Sequence, residues 1–403
     1  MTNVDASNLM VSEAHLILDH SRKEKAERTK DIGSPLQLPG KALAVEILGN
    51  DAWIAENTTI IRRLELETGK TLQVYRGHTG PVTSIAFFET SGSSGARKLV
   101  ISGSWDKTIK VWDRNTKELL SSTDAHDDFV KSLLVFPDLK LLVSGSSDKI
   151  VRFWDLSSVL EGPLHPLGSI SSHTRPVECI DGTVNSDQSV ELCTGDTMGV
   201  IKVWHLQKEG GASPRWKSSL KYELTHHRTR INDMHYGNGQ LWTASSDDTV
   251  QVVTVNPTSE ADKVPRFMTH PTAVRCLLPI ALTDLAEPYL ITGSADVIRA
   301  YDVSSIEEPE ILSEIDAHWH DVTALRLWMR KFTGADGYTR IEPWVLSASL
   351  DGTLRKWKLS ELLAPPPQAT SATAKPKSPV PQEPQSILTE EEERELAELM
   401  DDD

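Results

Sequence analysis

Six times this chain writes the same short phrase, each copy about 43 to 54 residues after the last. The clearest copy opens on Gly77-His78. It continues through Val82-Thr83-Ser84-Ile85-Ala86-Phe87 and Leu99-Val100-Ile101-Ser102-Gly103-Ser104-Trp105-Asp106, and ends on Thr108-Ile109-Lys110-Val111-Trp112-Asp113. Further copies open on His126, His173, His227, His270 and His318. Short runs of β-branched and aromatic residues separated by turn residues read as strands. A fixed period of this size means one supersecondary unit, repeated, that cannot bury both of its faces without neighbours.

The phrase resembles the WD40 repeat, and the resemblance covers roughly residues 34 to 360. It implies an all-β fold, a seven-bladed β-propeller, with six blades from the clear copies. A degenerate first repeat supplies the seventh, with strands expected at 42–48, 51–55, 59–66 and 72–75 and with Lys41 near the place of the histidine. The last repeat ends early: after Thr353 to Leu359 come Ser360-Glu361-Leu362-Leu363 and three prolines, Pro365 to Pro367. No fourth strand fits there. Leu36-Gln37-Leu38, which echoes Leu72-Gln73-Val74, is therefore expected to supply the outer strand of blade seven and close the ring. Closure hides two strand edges that would otherwise template aggregation.

Four segments follow: an N-terminal extension (1–33), the propeller (34–360), a linker (361–388) and an acidic tail (389–403). The stretch Ser21 to Arg28 is charged and has no apolar face, so a solvated helix or loop is expected. The linker is rich in Pro, Ala, Ser and Thr, the composition of a disordered tether. Thr389 to Glu392 reads as a capping box, and Leu396, Leu399 and Met400 form one narrow apolar stripe of a short helix. Residues 390–403 carry nine acidic side chains against Arg394, half of the chain's net charge of −16. That balance argues against general nucleic-acid binding, which rewards clustered Lys and Arg. No apolar run reaches the length of a membrane helix, and no secretory signal pattern is present. The three cysteines (Cys179, Cys193, Cys276) are scattered through strand-like runs and read as core hydrophobes of a reducing compartment, cytosol or nucleus.

Each good repeat carries a His, a Ser or Thr, an Asp and a Trp: His78, Ser102, Asp106 and Trp112; His126, Ser144, Asp148 and Trp154; His318, Ser347, Asp351 and Trp357. The types match a hydrolytic triad, but a catalytic triad occurs once per protein and these recur once per repeat. The WD40 resemblance implies a hydrogen-bonded chain that pins the Asp turn to the neighbouring loop, satisfying polar groups that would otherwise be buried unpaired. Repeats four to six depart from the pattern: Met198 stands at the Asp place with Asp196 two residues earlier, Val253 replaces the Trp, and the turn at Asp296 is one residue short with Tyr301 at the aromatic place. Weaker networks are expected there. His226 and His320 lack the companions of a zinc site, and no glycine-rich phosphate loop precedes a helix. Neither enzyme activity nor a metal or cofactor is expected.

The resemblance further implies that the top rim receives partners, through the residue before each turn Asp and those after each loop His. The aromatic and basic residues at these places are Trp105, Phe129, Arg175, Arg228, Arg230 and Trp319, types enriched in interface hot spots. The function expected is a protein–protein scaffold or adaptor, monomeric within an intracellular complex, with a nuclear or chromatin-linked subunit as a sharper variant. Its partners are peptides or domains on the rim, and a basic protein groove for the acidic tail. Substrate recognition for a ubiquitin ligase is the alternative, weakened because Trp112-Asp113-Arg114-Asn115 and Trp154-Asp155-Leu156-Ser157 lack a basic fourth residue.

Overall fold

Each repeat's second strand is centred on apolar residues and is covered on both faces there. Leu141–Ser146 and Val190–Asp196 are buried at every position, whereas the fourth strand Leu119–Asp124 alternates between buried and exposed. A computed structural model describes residues 13–90, 96–210, 215–255, 265–333 and 337–364. Among these, the strands form seven antiparallel four-stranded sheets, each a blade. The first strands (Ala42–Leu48, Val82–Glu89, Val130–Phe136, Val177–Val184, Ile231–Gly237, Val274–Pro279 and Val322–Thr333) are innermost. Each packs against the next, and the last against the first, so the ring is closed. The core is correspondingly a set of clusters at blade seams: Val45, Ile54 and Leu64 of blade one pack with Trp328, Leu346 and Leu354 of blade seven.

Closure is made as the sequence implied. Leu36 and Gln37 pair with Leu354 and Thr353, giving blade seven its outer strand. The degenerate first repeat forms a full blade with strands Ala42–Leu48, Asp51–Glu56, Ile60–Glu65 and Thr71–Arg76. In place of a histidine network it holds a buried Glu56–Arg62 ion pair, with Thr58 donating to Glu56 at 2.8 Å.

The N-terminal extension contains a helix, α1 (Glu13–Thr29), whose exposed face agrees with its charged sequence. Its last turn is not free: Thr29 is fully buried, and the Thr29 and Ile32 carbonyls both accept from the Arg355 guanidinium of blade seven. At the other end the chain stays on the propeller beyond residue 360. A five-residue helix, α2 (Leu359–Leu363), buries Leu359 and Leu362 against blades six and seven, and the Leu362 carbonyl accepts from Ser313. The expected linker from residue 365 onward and the expected acidic helix at 389–403 lie outside the described residues. No helix among the described residues is long and apolar enough to cross a membrane.

Candidate functional site

The polar quartets sit where strand ends meet. In blade two His78 Nδ1 lies 2.8 Å from Asp106, Nε2 lies 2.8 Å from Ser102 Oγ, and Trp112 Nε1 donates to the same Oγ at 2.9 Å. The carboxylate can only accept, so Nδ1 carries the proton; Ser102 then donates to Nε2 while accepting from the indole. His126, Ser144, Asp148 and Trp154 repeat this within 0.1 Å, as do His318, Ser347, Asp351 and Trp357. Burial works to raise the Asp148 carboxyl, but hydrogen bonds from His126 and from the Ile150 and Asp127 amides overcome it and hold the group at about 2. Ser102, Ser144 and Ser347 are completely buried, so no substrate reaches their hydroxyls. These are rivets with the residue types of a triad.

The departures sort out differently from expectation. Blade four is complete, because Asp196 takes the carboxylate's part, 3.2 Å from His173, with Thr194 and Trp204 in place. Blade five keeps His227, Thr243 and Asp247 and lacks only the indole. Blade six is broken. His270 reaches Thr292 at 3.1 Å, but among the described residues its buried Nδ1 has no partner, and Asp296 pairs with Lys25 of α1 instead. The cause is the short turn. In blades two, three, five and seven the left-handed residue follows the Asp (Lys107, Lys149, Asp248, Gly352), whereas in blade six Ala295, φ 49°, precedes it.

One further feature recurs in all seven blades. The ladder between first and second strands slips by one residue at its start, between Val82 and Ser84 in blade two and at the matching place in each other blade. Such a bulge leaves one residue unpaired and re-aims its side chain. The seven residues so released, Leu43, Thr83, Lys131, Glu178, Asn232, Arg275 and Thr323, all line the central cavity of about 440 Å³. Three of them also stitch blades together: Thr83 donates to the Val130 carbonyl at 2.6 Å, Asn232 to Val274 at 2.6 Å and Thr323 to Ala42 at 3.0 Å.

The bulge brings three of the rim residues, Trp105, Phe129 and Arg230, into one cluster. Trp105, 39% exposed, stacks on Phe129 with centroids 4.9 Å apart, and Lys131 lies over its ring at 5.6 Å. Lys131 also approaches Glu178 at 3.7 Å, and Arg230 meets the same carboxylate at 2.8 Å. Blades two to five are thus joined across the channel mouth, with two cations on one carboxylate. Arg175 and Arg228 are exposed on the loops entering blades four and five, and among the described residues no carboxylate lies within ion-pair distance of either. The Arg228 amide donates to Asp247 at 2.9 Å, which fixes its loop. Trp319 stands apart on blade seven, half-buried against His320 at 5.9 Å. Lys131, Glu178 and Arg275 escaped the reading of the sequence; their signal is their place, one residue after the apolar residue that opens each first strand. All three cysteines are unpaired; Cys193 and Cys276 are buried and Cys179 is half-buried, and burial pushes their thiols up.

The family model described as "WD domain, G-beta repeat" matches residues 69–113 and 117–155. An uncharacterized WD repeat-containing protein of Schizosaccharomyces pombe is 30% identical over 397 residues, 95% of each chain. The chain belongs to the WD40-repeat family. Shorter matches include 38% identity over 68 residues with the peroxisomal targeting signal 2 receptor of Mus musculus, covering 17% of this chain and 20% of that one. The periodic tryptophan protein 2 homolog of S. pombe is 39% identical over 75 residues, 19% of this chain and 8% of that one. WD40 propellers generally serve as protein-interaction scaffolds and are typically non-enzymatic.

Proposed function

We propose that this WD40 protein is a non-enzymatic adaptor in an intracellular complex, cytoplasmic or nuclear, and that it takes a segment of its partner at the channel mouth. The observation that carries this reading is the continuous cluster Trp105–Phe129–Lys131–Glu178–Arg230. It offers an exposed aromatic platform beside cations that one carboxylate does not neutralise. A partner segment that sets an apolar anchor on Trp105 and an acidic side chain toward Lys131 and Arg230 answers both features. The acidic residues of 389–403 give the chain a second, separate means of engaging a basic protein, which fits the nuclear variant of the proposal.

The test is quantitative co-purification from cells with the full chain, the Trp105→Ala variant and the Trp319→Ala variant, each checked for an unchanged melting temperature. Loss of a hot-spot aromatic weakens binding by about 2 kcal/mol or more, roughly thirtyfold. A shared set of proteins should be depleted with Trp105→Ala and retained with Trp319→Ala. Equal recovery with Trp105→Ala and the unaltered chain refutes the site.

A further inference from the structure

The broken network of blade six points to a second site, away from the channel mouth. Asp296, freed from its histidine by the short turn, and Asp316, at the end of that blade's outer strand (Glu310–Asp316), hold one ammonium between them. Lys25 Nζ lies 2.6 Å from Asp296 Oδ2 and also pairs with Asp316, and its side chain is only 20% exposed. Arg28, three residues on and therefore on the same helical face, pairs with Asp316. The buried Nδ1 of His270, the ring a turn carboxylate serves in the complete quartets, has no hydrogen-bond partner among the described residues. The complete quartets spend their turn carboxylate on the histidine; blade six spends its own on α1.

The occupant is attached unevenly. From Thr29 to Gly33 the chain is anchored firmly: Thr29 is buried, Arg355 holds two carbonyls, and the Lys356 amide donates to the Gly33 carbonyl at 2.7 Å. Upstream, Leu16 and Ile17 are exposed, and residues 21–28 carry no apolar face. Beyond its anchored end the helix is held through Lys25 and Arg28, that is, by charge at a partly exposed surface, the kind of contact another cationic group can replace.

We propose that Asp296 and Asp316 form a lysine-binding cradle on the rim of blade six, occupied in cis by α1, and that a partner segment presenting Lys-x-x-Arg on one helical face displaces it. The cis occupant is a tethered competitor at an effective concentration in the millimolar range. Weakening it should therefore uncover the site to the same ligand supplied in trans.

The probe is a fluorescent peptide with the sequence of residues 13–30. Anisotropy is measured with the full chain, with Lys25→Ala/Arg28→Ala, and with those two changes plus Asp296→Asn/Asp316→Asn. The peptide should bind the double variant about tenfold more tightly than the unaltered chain, and the added carboxamides should abolish that gain. Equal affinity for the first two proteins, or binding that survives the carboxamides, overturns the proposal. Should the quadruple variant fail to fold, amide exchange in the unaltered chain decides. Excess unlabelled peptide should speed exchange within α1 by about threefold or more, as expected for displacement of a locally held element, and unchanged exchange overturns the proposal. Trp105→Ala, which removes the channel-mouth platform, should leave peptide binding unaltered, so the two sites fail or stand separately.

Discussion

His270 is the place where the missing carboxylate of blade six should be felt in solution. Burial, and after it the charge of Arg299, pushes its imidazole down from 6.5 to about 4. The unfolded chain therefore takes up a proton between those two values while the folded chain does not, so stability is full above 6.5 and declines as pH falls toward 4. At about 1.4 kcal/mol per unit of pKa difference, this one residue should remove about 2.5 kcal/mol of stability by pH 4.5. His270→Gln keeps an amide within reach of Thr292 but does not titrate. At pH 7.5 it should cost about 1 kcal/mol, chiefly the lost edge-to-face contact with Tyr301, whose centroid lies 5.4 Å away. At pH 4.5 the variant should be the more stable protein by about 1.5 kcal/mol, with the two curves crossing near about pH 6. Urea unfolding followed by tryptophan fluorescence at pH 7.5, 6 and 4.5 measures the difference, and contributions from other titrating groups cancel between the two proteins. A difference of constant sign and size across that range would refute the assignment of His270 as a buried neutral ring without a carboxylate partner.

Two further outcomes follow from the geometry. Gly33 has φ 69°, and a Cβ there would lie 2.5 Å from the Trp357 ring; Gly33→Ala should destabilise the closed ring by about 2 kcal/mol or more, read as a lower melting temperature. Trp112→Phe keeps an aromatic ring but removes the indole donor to Ser102; a loss of about 1–2 kcal/mol is expected by denaturant titration, and no loss would mean that the quartet does not act as a rivet.

The bulge at the head of every first strand ties architecture to function in this chain. A regular ladder would pair the residue after Val82, Val130 or Val177 and align its side chain with the blade. Skipping it sends seven side chains, one per blade, to the channel wall, and at Thr83, Asn232 and Thr323 the released group binds the next blade's carbonyl. At Lys131, Glu178 and Arg275 the same geometry serves charge instead, with Arg275 paired to Asp321 at 3.2 Å. The backbone irregularity is thus common to all blades, and the residue type decides whether a position joins its neighbours by a hydrogen bond or by an ion pair.

The repeat period, the turn residues and the alternation of strands were sufficient for the sequence alone to determine the ring, the number of blades and the closing strand at Leu36. Those are outcomes of local patterning repeated many times, where each copy supports the next. The full quartets at His78, His126 and His318 were legible for the same reason. What the linear order could not decide was the fate of single carboxylates and the grouping of rim residues. In the sequence Asp196 looks displaced, two residues early, whereas Asp296 keeps its place four residues after Thr292. One nevertheless reaches its histidine and the other a lysine about 270 residues away, because a left-handed residue sits before rather than after Asp296 and a distant helix happens to fold over it. Likewise Trp105, Phe129 and Arg230 become one cluster only through Lys131 and Glu178, whose direction depends on a bulge and on the closing of the ring. Contacts across blades are set by where backbones meet in space, and side-chain chemistry read along the chain does not contain that distance.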